Sequence, residues 1–348
     1  MLKILCIGPE WRGSNANGLF KALSRIGHAI SVVDEFYYIP LRTKAILTKV
    51  VSRIGRNFFI SDFNKAILNE ALIFKPDLVL VYKGAFVLPE TVKALKNIGK
   101  RVVNFYPDVS FKTHGNLLEK TLPLYDMVFT TKTFGMEDMQ KQLGQKNVIF
   151  IPHGFDPEVH KPFPIVDSQL MSTFGCDASF IGTWSPHKEN TLSTLKEILP
   201  SIRLKIWGRQ WSNCTSKNLK SAIQKQEVLG DLYAIAINCS KVNLGILSEK
   251  VYGASSGDKI TSRTFHIPAA KGCMLHQNSE EIGHYFEIGK EILVFNSSED
   301  LAEKLEVLLN NESLRQQLAN AGYQRALKDH SLDQRAKEIL KYCMDGKL

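Results

Sequence analysis

Nowhere in these 348 residues is there an apolar run of the roughly 18–20 residues that a membrane-spanning helix needs. The six cysteines (Cys6, Cys176, Cys214, Cys239, Cys273 and Cys343) are scattered with no CxxC spacing. That argues against a zinc site or a disulfide framework and fits a reducing compartment. No internal repeat of short period is visible. There is no zinc-finger pattern, aromatic-basic RNA motif or basic heptad region, so nucleic acid is not an expected partner. No G-x-G-x-x-G follows a strand, and "GPEWRG" after the first apolar run does not fit that fingerprint, which makes a dinucleotide-dependent oxidoreductase the weakest candidate. The opening segment Met1–Gly8 reads as a buried strand. It is too short for a secretory leader and lacks a small-residue cleavage site, so a cytoplasmic location is expected.

What charge there is lies unevenly. The net charge is +9, but residues 1–160 hold 21 basic against 14 acidic side chains and residues 161–348 hold 23 against 21. Between Glu35 and Asp62 stand Arg42, Lys44, Lys49, Arg53 and Arg56 with no acidic residue. Leu47, Val50, Val51, Ile54 and Phe58 recur there at helical spacing. A basic amphipathic helix over Arg42–Phe59 suits either an anionic membrane surface, as a peripheral contact, or packing with its cationic face toward water or an acceptor.

Short apolar runs alternate with helical patterns, which predicts an α/β fold with parallel sheets covered on both faces. In the first half the expected strands are 3–8, 29–33, 77–82, 101–105, 126–130 and 148–151, with helices over 15–26, 89–98 and 135–143. Gly27 stands as the stop of the first helix. Residues 152–168 carry Pro152, Pro157, Pro162 and Pro164, and proline continues neither a helix nor a central strand, so this stretch is expected to be a hinge. Strands are then expected at 178–181, 204–207, 242–247, 273–276 and 292–295. Helices are expected at 189–199, 232–239, 262–269, 298–309, 313–329 and 333–343. The predicted domains are 1–151 and 169–330, with residues 331–348 as a helix crossing back to the first. The economical architecture is two Rossmann-like domains facing across a cleft, with ligands at the carboxyl ends of the strands.

Three loops of the second half carry ligand-type groups. In "SFIGTWSPHKE", Gly182 and Thr183 close a strand and Lys188 lies near a helix start, where free N–H groups and a cation suit an anion. In "LKIWGRQW", Gly208 ends a strand, Arg209 suits a phosphate, and Trp207 and Trp211 suit either a nucleobase or the core. In "SGDKITSRTFHIPAAKG", Asp258 and His266 are separated by seven residues, with Arg263 between them as a bidentate donor for phosphate.

The run from Ser262 to about Arg335 resembles the C-terminal domain of bacterial glycosyltransferases of the CgeB/spore-maturation-protein type, which are two-domain GT-B enzymes. The resemblance rests on "SRTFHIPAAKGCMLHQ", "FEIGKEILVF", "SSEDLAEKLEVLLNNESLRQQLANAGYQRALKDHSLDQRA" and "LYAIAINCSKVNLGI". It covers roughly residues 177–340; "GHAISVVD" and "FIPHGFDPEVHKP" match more weakly. It implies transfer of a sugar from a nucleotide-sugar donor to an acceptor hydroxyl, in cell-surface or secondary-metabolite glycan synthesis. Lys188 and Arg263 would then hold the diphosphate. In similar enzymes two acidic residues stand where Asp258 and His266 stand here, and the second holds the donor's ribose hydroxyls. His266 departs from that pattern, in which "RTFE" is usual. Asp231 and Asp258 are isolated, with no DxD pattern, so cationic side chains rather than a metal are expected to neutralise the leaving group, and no cofactor is expected. The first half should supply the acceptor site and any base, with Glu10, Arg12, Asp108, His114 and His153 as candidates. A retaining reaction would need no dedicated base. A non-catalytic nucleotide-sugar or glycan binder of the same fold is the alternative.

Overall fold

The computed structural model describes residues 1–39, 55–98, 100–163 and 167–344. Among them the chain divides into two units. The first comprises residues 1–152, 250–256 and 333 onward; the second comprises 153–249 and 257–332.

In the first unit, near-continuous apolar runs form β1 (Lys3–Ile7), β2 (Ala29–Val33), β3 (Leu78–Tyr82), β4 (Arg101–Tyr106), β5 (Met127–Thr130) and β6 (Val148–Phe150). All pair in parallel, in the order β2-β1-β3-β4-β5-β6. Parallel strands need crossovers, so helices lie between them: Asn15–Arg25, Pro89–Asn97 and Thr133–Leu143, for example. Ser14 caps the first of these, its hydroxyl accepting from the Asn17 N–H at 3.0 Å. Gly27 follows its end at φ 96°, a left-handed conformation suited to glycine.

Three helices of this unit escape the sequence reading, among them the five-residue Leu117–Thr121. Another is the short Glu35–Tyr38 after β2. The third is the 19-residue helix Arg56–Phe74, whose Ile60, Phe63, Ile67 and Ala71 form a buried stripe. Of the predicted basic helix, residues 42–54 lie outside the described residues. Arg56, Phe58 and Phe59 begin Arg56–Phe74, with Phe58 64% exposed. No helix among the described residues is long and apolar enough to cross a membrane.

The second unit holds β7 (Cys176–Ile181), β8 (Leu204–Trp207), β9 (Ser240–Gly245), β10 (Met274–Gln277) and β11 (Leu293–Phe295), parallel in the order β11-β10-β9-β7-β8. Of the proline-rich stretch expected to be a hinge, described residues 153–163 pack into this unit. Phe155 is 1% exposed, its N–H donates to His330 O at 3.0 Å, and its carbonyl accepts from Leu332 N–H at 2.8 Å. Prolines stop helix and strand, but they do not stop a segment from burying Phe155, Val159 and His160. The last helix, Leu332–Met344, packs within the first unit through Asp333, paired with Arg25 at 2.6 Å, and Tyr342, whose ring lies 6.4 Å from that of Phe129.

Candidate functional site

The strand order of the second sheet reverses at β7. The chain goes to β8 on one side and returns to β9 on the other, so the loops after β7 and β9 diverge and leave a crevice at their carboxyl ends. Two cations occupy that point. Lys188, in the first turn of helix Pro186–Ile198, donates to Ser248 Oγ at 3.0 Å and to the Thr183 carbonyl at 3.3 Å. Arg263, in the first turn of helix Ser262–Ala269, donates through Nη2 to the Ile246 carbonyl at 2.7 Å, with Nη1 3.5 Å from the Ile181 carbonyl. Its guanidinium lies 5.2 Å over the Phe180 ring. Each thus ties the end of β7 to the end of β9, or the helix that follows to both.

Burial at 4% exposure, and then the charge of Arg263, pulls the Lys188 ammonium down to about 8, while Glu249 and Asp258 act in the opposite direction. Arg263 is likewise lowered by burial, with Tyr233 and Asp258 opposing. Two like charges held together under desolvation favour an anion between them. The surrounding loop is fixed by Glu249, which accepts from Ser185 Oγ at 2.7 Å, and by Asp258, whose N–H donates to Ser248 O at 2.8 Å.

The remaining donor-site candidates divide. Gly182 and Gly208 are where two loops cross: a Cβ on Gly208 would lie 2.1 Å from Gly182 O, and one on Gly182 would lie 2.8 Å from Arg263 Nη1. Thr183 contributes its carbonyl to Lys188. Arg209 is turned to Glu227, at 3.1 Å, and stands exposed. Trp211 is corrected outright: at 4% exposure it is core, donating from Nε1 to Gly182 O at 2.9 Å and set edge-on to Phe180. A ring enclosed in that way cannot stack a base. His266 is also turned inward. Its ring stacks on His160 at 3.6 Å, and Nε2 donates to Gly154 O at 3.2 Å. Burial first, then His160, holds it well below the usual histidine range, so it is neutral. With that donor committed to backbone, it does not replace a carboxylate on ribose hydroxyls.

In the first unit the structure brings Asp108 and His114 together, Oδ2 to Nε2 at 3.0 Å, and adds a residue that the sequence reading missed: Lys83 Nζ, 2.8 Å from the same oxygen. Burial raises the Asp108 carboxyl, but the His114 hydrogen bond and the Lys83 ammonium outweigh it and hold it far below the carboxylate range. Asp108 is therefore a fixed anion and a weak base, bonded to His114. Lys83 adopts φ 63°, uncommon for a non-glycine residue, its N–H bound to Phe105 O at 2.8 Å. Glu35 was missed too; burial, aided by Asp34 and opposed by Lys83, raises its carboxyl to about 7. The signals were present in "VYKG" and "VVDE", polar pairs directly after apolar strands. Glu10 is exposed, bonding through its N–H to Asp34 Oδ1 at 3.3 Å. Arg12 is exposed too, and His153 is buried in the second unit.

Two parallel-sheet Rossmann-like units define the class: this is the GT-B fold of glycosyltransferases. Residues 187–341 match the family model described as glycosyl transferase-like, a stretch containing both Lys188 and Arg263. Among solved structures the chain is similar to sucrose-phosphate synthase from Thermosynechococcus elongatus (11% identity, TM-score 0.68, 99% of each chain covered). It is also similar to a glycosyltransferase from Rickettsia africae (13%, 0.65, 99% of this chain and 98% of that one). A third is HepE from Anabaena in complex with UDP-glucose (10%, 0.64, 99% and 100%). No curated protein matches the sequence.

Proposed function

We propose that the protein is a glycosyltransferase that moves a sugar from a nucleotide-sugar donor to an acceptor hydroxyl. The observation that carries this reading is the pairing of Lys188 and Arg263 at the switch point of the second sheet, within the stretch that matches the glycosyl transferase-like family. In such a reaction the bond from the anomeric carbon to the phosphate oxygen breaks and the acceptor oxygen bonds to that carbon. The diphosphate leaves with the electron pair, and two desolvated cations stabilise the charge as it develops. A diphosphate would also restore full protonation to Lys188, since an adjacent anion raises an ammonium pKa. The acceptor proton passes to a base of the first unit, with His114 oriented by Asp108 as the candidate, or in a retaining course to the departing phosphate. Because the cations neutralise the leaving group, turnover is expected to persist in excess chelator; dependence on Mn²⁺ or Mg²⁺ would contradict this part.

The complex of HepE with UDP-glucose makes that compound a natural first ligand to test. UDP and UDP-glucose should raise the melting temperature of the wild-type protein, since a ligand of the native state stabilises it by mass action. Lys188→Ala should abolish that rise; an undiminished shift in this variant would remove Lys188 from the site. The finer assignment, to the CgeB-like enzymes and to a cytoplasmic protein held peripherally at an anionic membrane by Arg42–Phe59, rests on sequence likeness and charge. Co-sedimentation with anionic vesicles at low salt tests the membrane part.

A second reading, a nucleotide-sugar binder without turnover, is favoured by the inward commitment of His266. Binding of UDP-glucose with no donor hydrolysis and no transfer would select it.

A further inference from the structure

Tyr233 lies in the first turn of helix Asp231–Asn238, which leads into β9. Helices that join parallel strands begin at the carboxyl edge of the sheet, so Tyr233 enters at the same edge as Lys188 and Arg263. Its ring is clamped edge-on against two imidazoles, 5.6 Å from His160 at 90° and 5.7 Å from His266 at 89°. Those imidazoles are themselves pinned. His160 Nδ1 accepts from the Asp156 N–H at 3.1 Å, and His266 is bound to Gly154 O. The hydroxyl at the end of so fixed a ring has little freedom to seek a partner, and it has none: Tyr233 Oη is buried without a hydrogen bond. Arg263 Nε is buried without one as well. The His266 ring against which Tyr233 packs stands three residues after Arg263 on the same helix, and the guanidinium pulls down a phenol that burial otherwise raises.

An unmet buried donor costs free energy that a native structure normally avoids, so two of them at one edge point to a ligand atom that meets both. Arg263 Nε–H can only donate and Tyr233 O–H can donate; an oxygen that accepts from both, beside Lys188, is anionic.

We propose that Tyr233 Oη and Arg263 Nε together bind one oxygen of a phosphate group, making Tyr233 a ligand-binding residue of this site. The reading of the site as a nucleotide-sugar site determines only what carries that phosphate. The two histidines then serve as a neutral wall that positions the phenol.

Tyr233→Phe separates this from a packing role, because it removes only the hydroxyl. If the hydroxyl awaits a phosphate, the variant without ligand melts no lower than wild type, since a buried unmet group has been deleted. Calorimetric titration should show UDP and pyrophosphate bound about ten- to a hundredfold more weakly. Arg263→Lys, which keeps the charge and loses Nε, should weaken both ligands similarly. If UDP binds wild type and Tyr233→Phe equally well, the proposal is overturned while the donor reading stands. Should wild type bind pyrophosphate but no nucleotide, with Tyr233→Phe weaker, the proposal stands and the donor reading falls. Binding of neither ligand to wild type overturns both.

Discussion

Glu35 carries the clearest pH signature of any single residue. Its carboxyl, raised from the ordinary 4.5 to about 7 by burial and by Asp34 against the pull of Lys83, must ionise at a cost in the folded protein. A raised carboxyl contributes stability below its unfolded pKa and loses that contribution as pH rises toward its folded one, here between about 4.5 and 7. Glu35→Gln should therefore melt higher than the parent at pH 8, with the gap closing by pH 4. Equal melting temperatures at pH 8 would show that the carboxyl is not strained. Residues of this kind were only half legible. Lys188 and Arg263 were singled out from loop position and likeness, and the structure puts them at one crevice. Lys83, Glu35 and Tyr233 were not: "VYKG" and "VVDE" mark polar residues just after apolar strands, but neither they nor "GDLYAI" tell which side chain a neighbouring strand presents to them.

Among the elements, the loops after β7 and β8 show how a backbone crossing governs the site. Gly208 sits at φ 138° with its absent Cβ only 2.1 Å from Gly182 O, and that carbonyl is also the acceptor for Trp211 Nε1. Neither atom can give way without moving the strand end that positions Lys188. Gly208→Ala should cost about 3 kcal/mol or more, at the severe end for one substitution. Chemical denaturation measures it; a loss below about 1 kcal/mol would mean that the crossing relaxes easily. Strand and helix positions were largely readable, since periodicity and glycine stops are local. The described segment 152–163 is less legible, for the opposite reason. Proline content reports what a segment cannot form, whereas the burial of Phe155 and His160 depends on the distant residues 330–332 and 266.

At the scale of the whole molecule, the second unit concentrates buried neutral histidines. Burial takes His160 to about 3 and His276 to about 4, and it holds His266 lower than usual as well. Each must gain a proton on unfolding below about 6.5, so each stabilises the native state above that pH and loses the contribution as pH falls. The loss is roughly 1–2 kcal/mol per histidine between pH 6.5 and 5. Three of the four tryptophans (Trp184, Trp207 and Trp211) lie in the same unit, so tryptophan fluorescence reports chiefly on it. The urea midpoint read by fluorescence should drop markedly from pH 7 to pH 5; a constant midpoint would show that these rings titrate normally.

The sequence by itself determined the alternation of strand and helix, the parallel α/β class, the placing of three ligand-type loops and the first-half excess of basic charge. These follow from local pattern and from composition, which need no knowledge of neighbours. Only the tertiary structure decided that Lys188 meets Ser248, that Arg263 reaches the carbonyl of Ile246, that Asp108 joins Lys83 to His114, and that Trp211 and His266 face inward. The reason is strand order. Placing β9 beside β7, and β4 beside β3, brings together side chains that lie tens of residues apart, and no local signal along the chain encodes that adjacency.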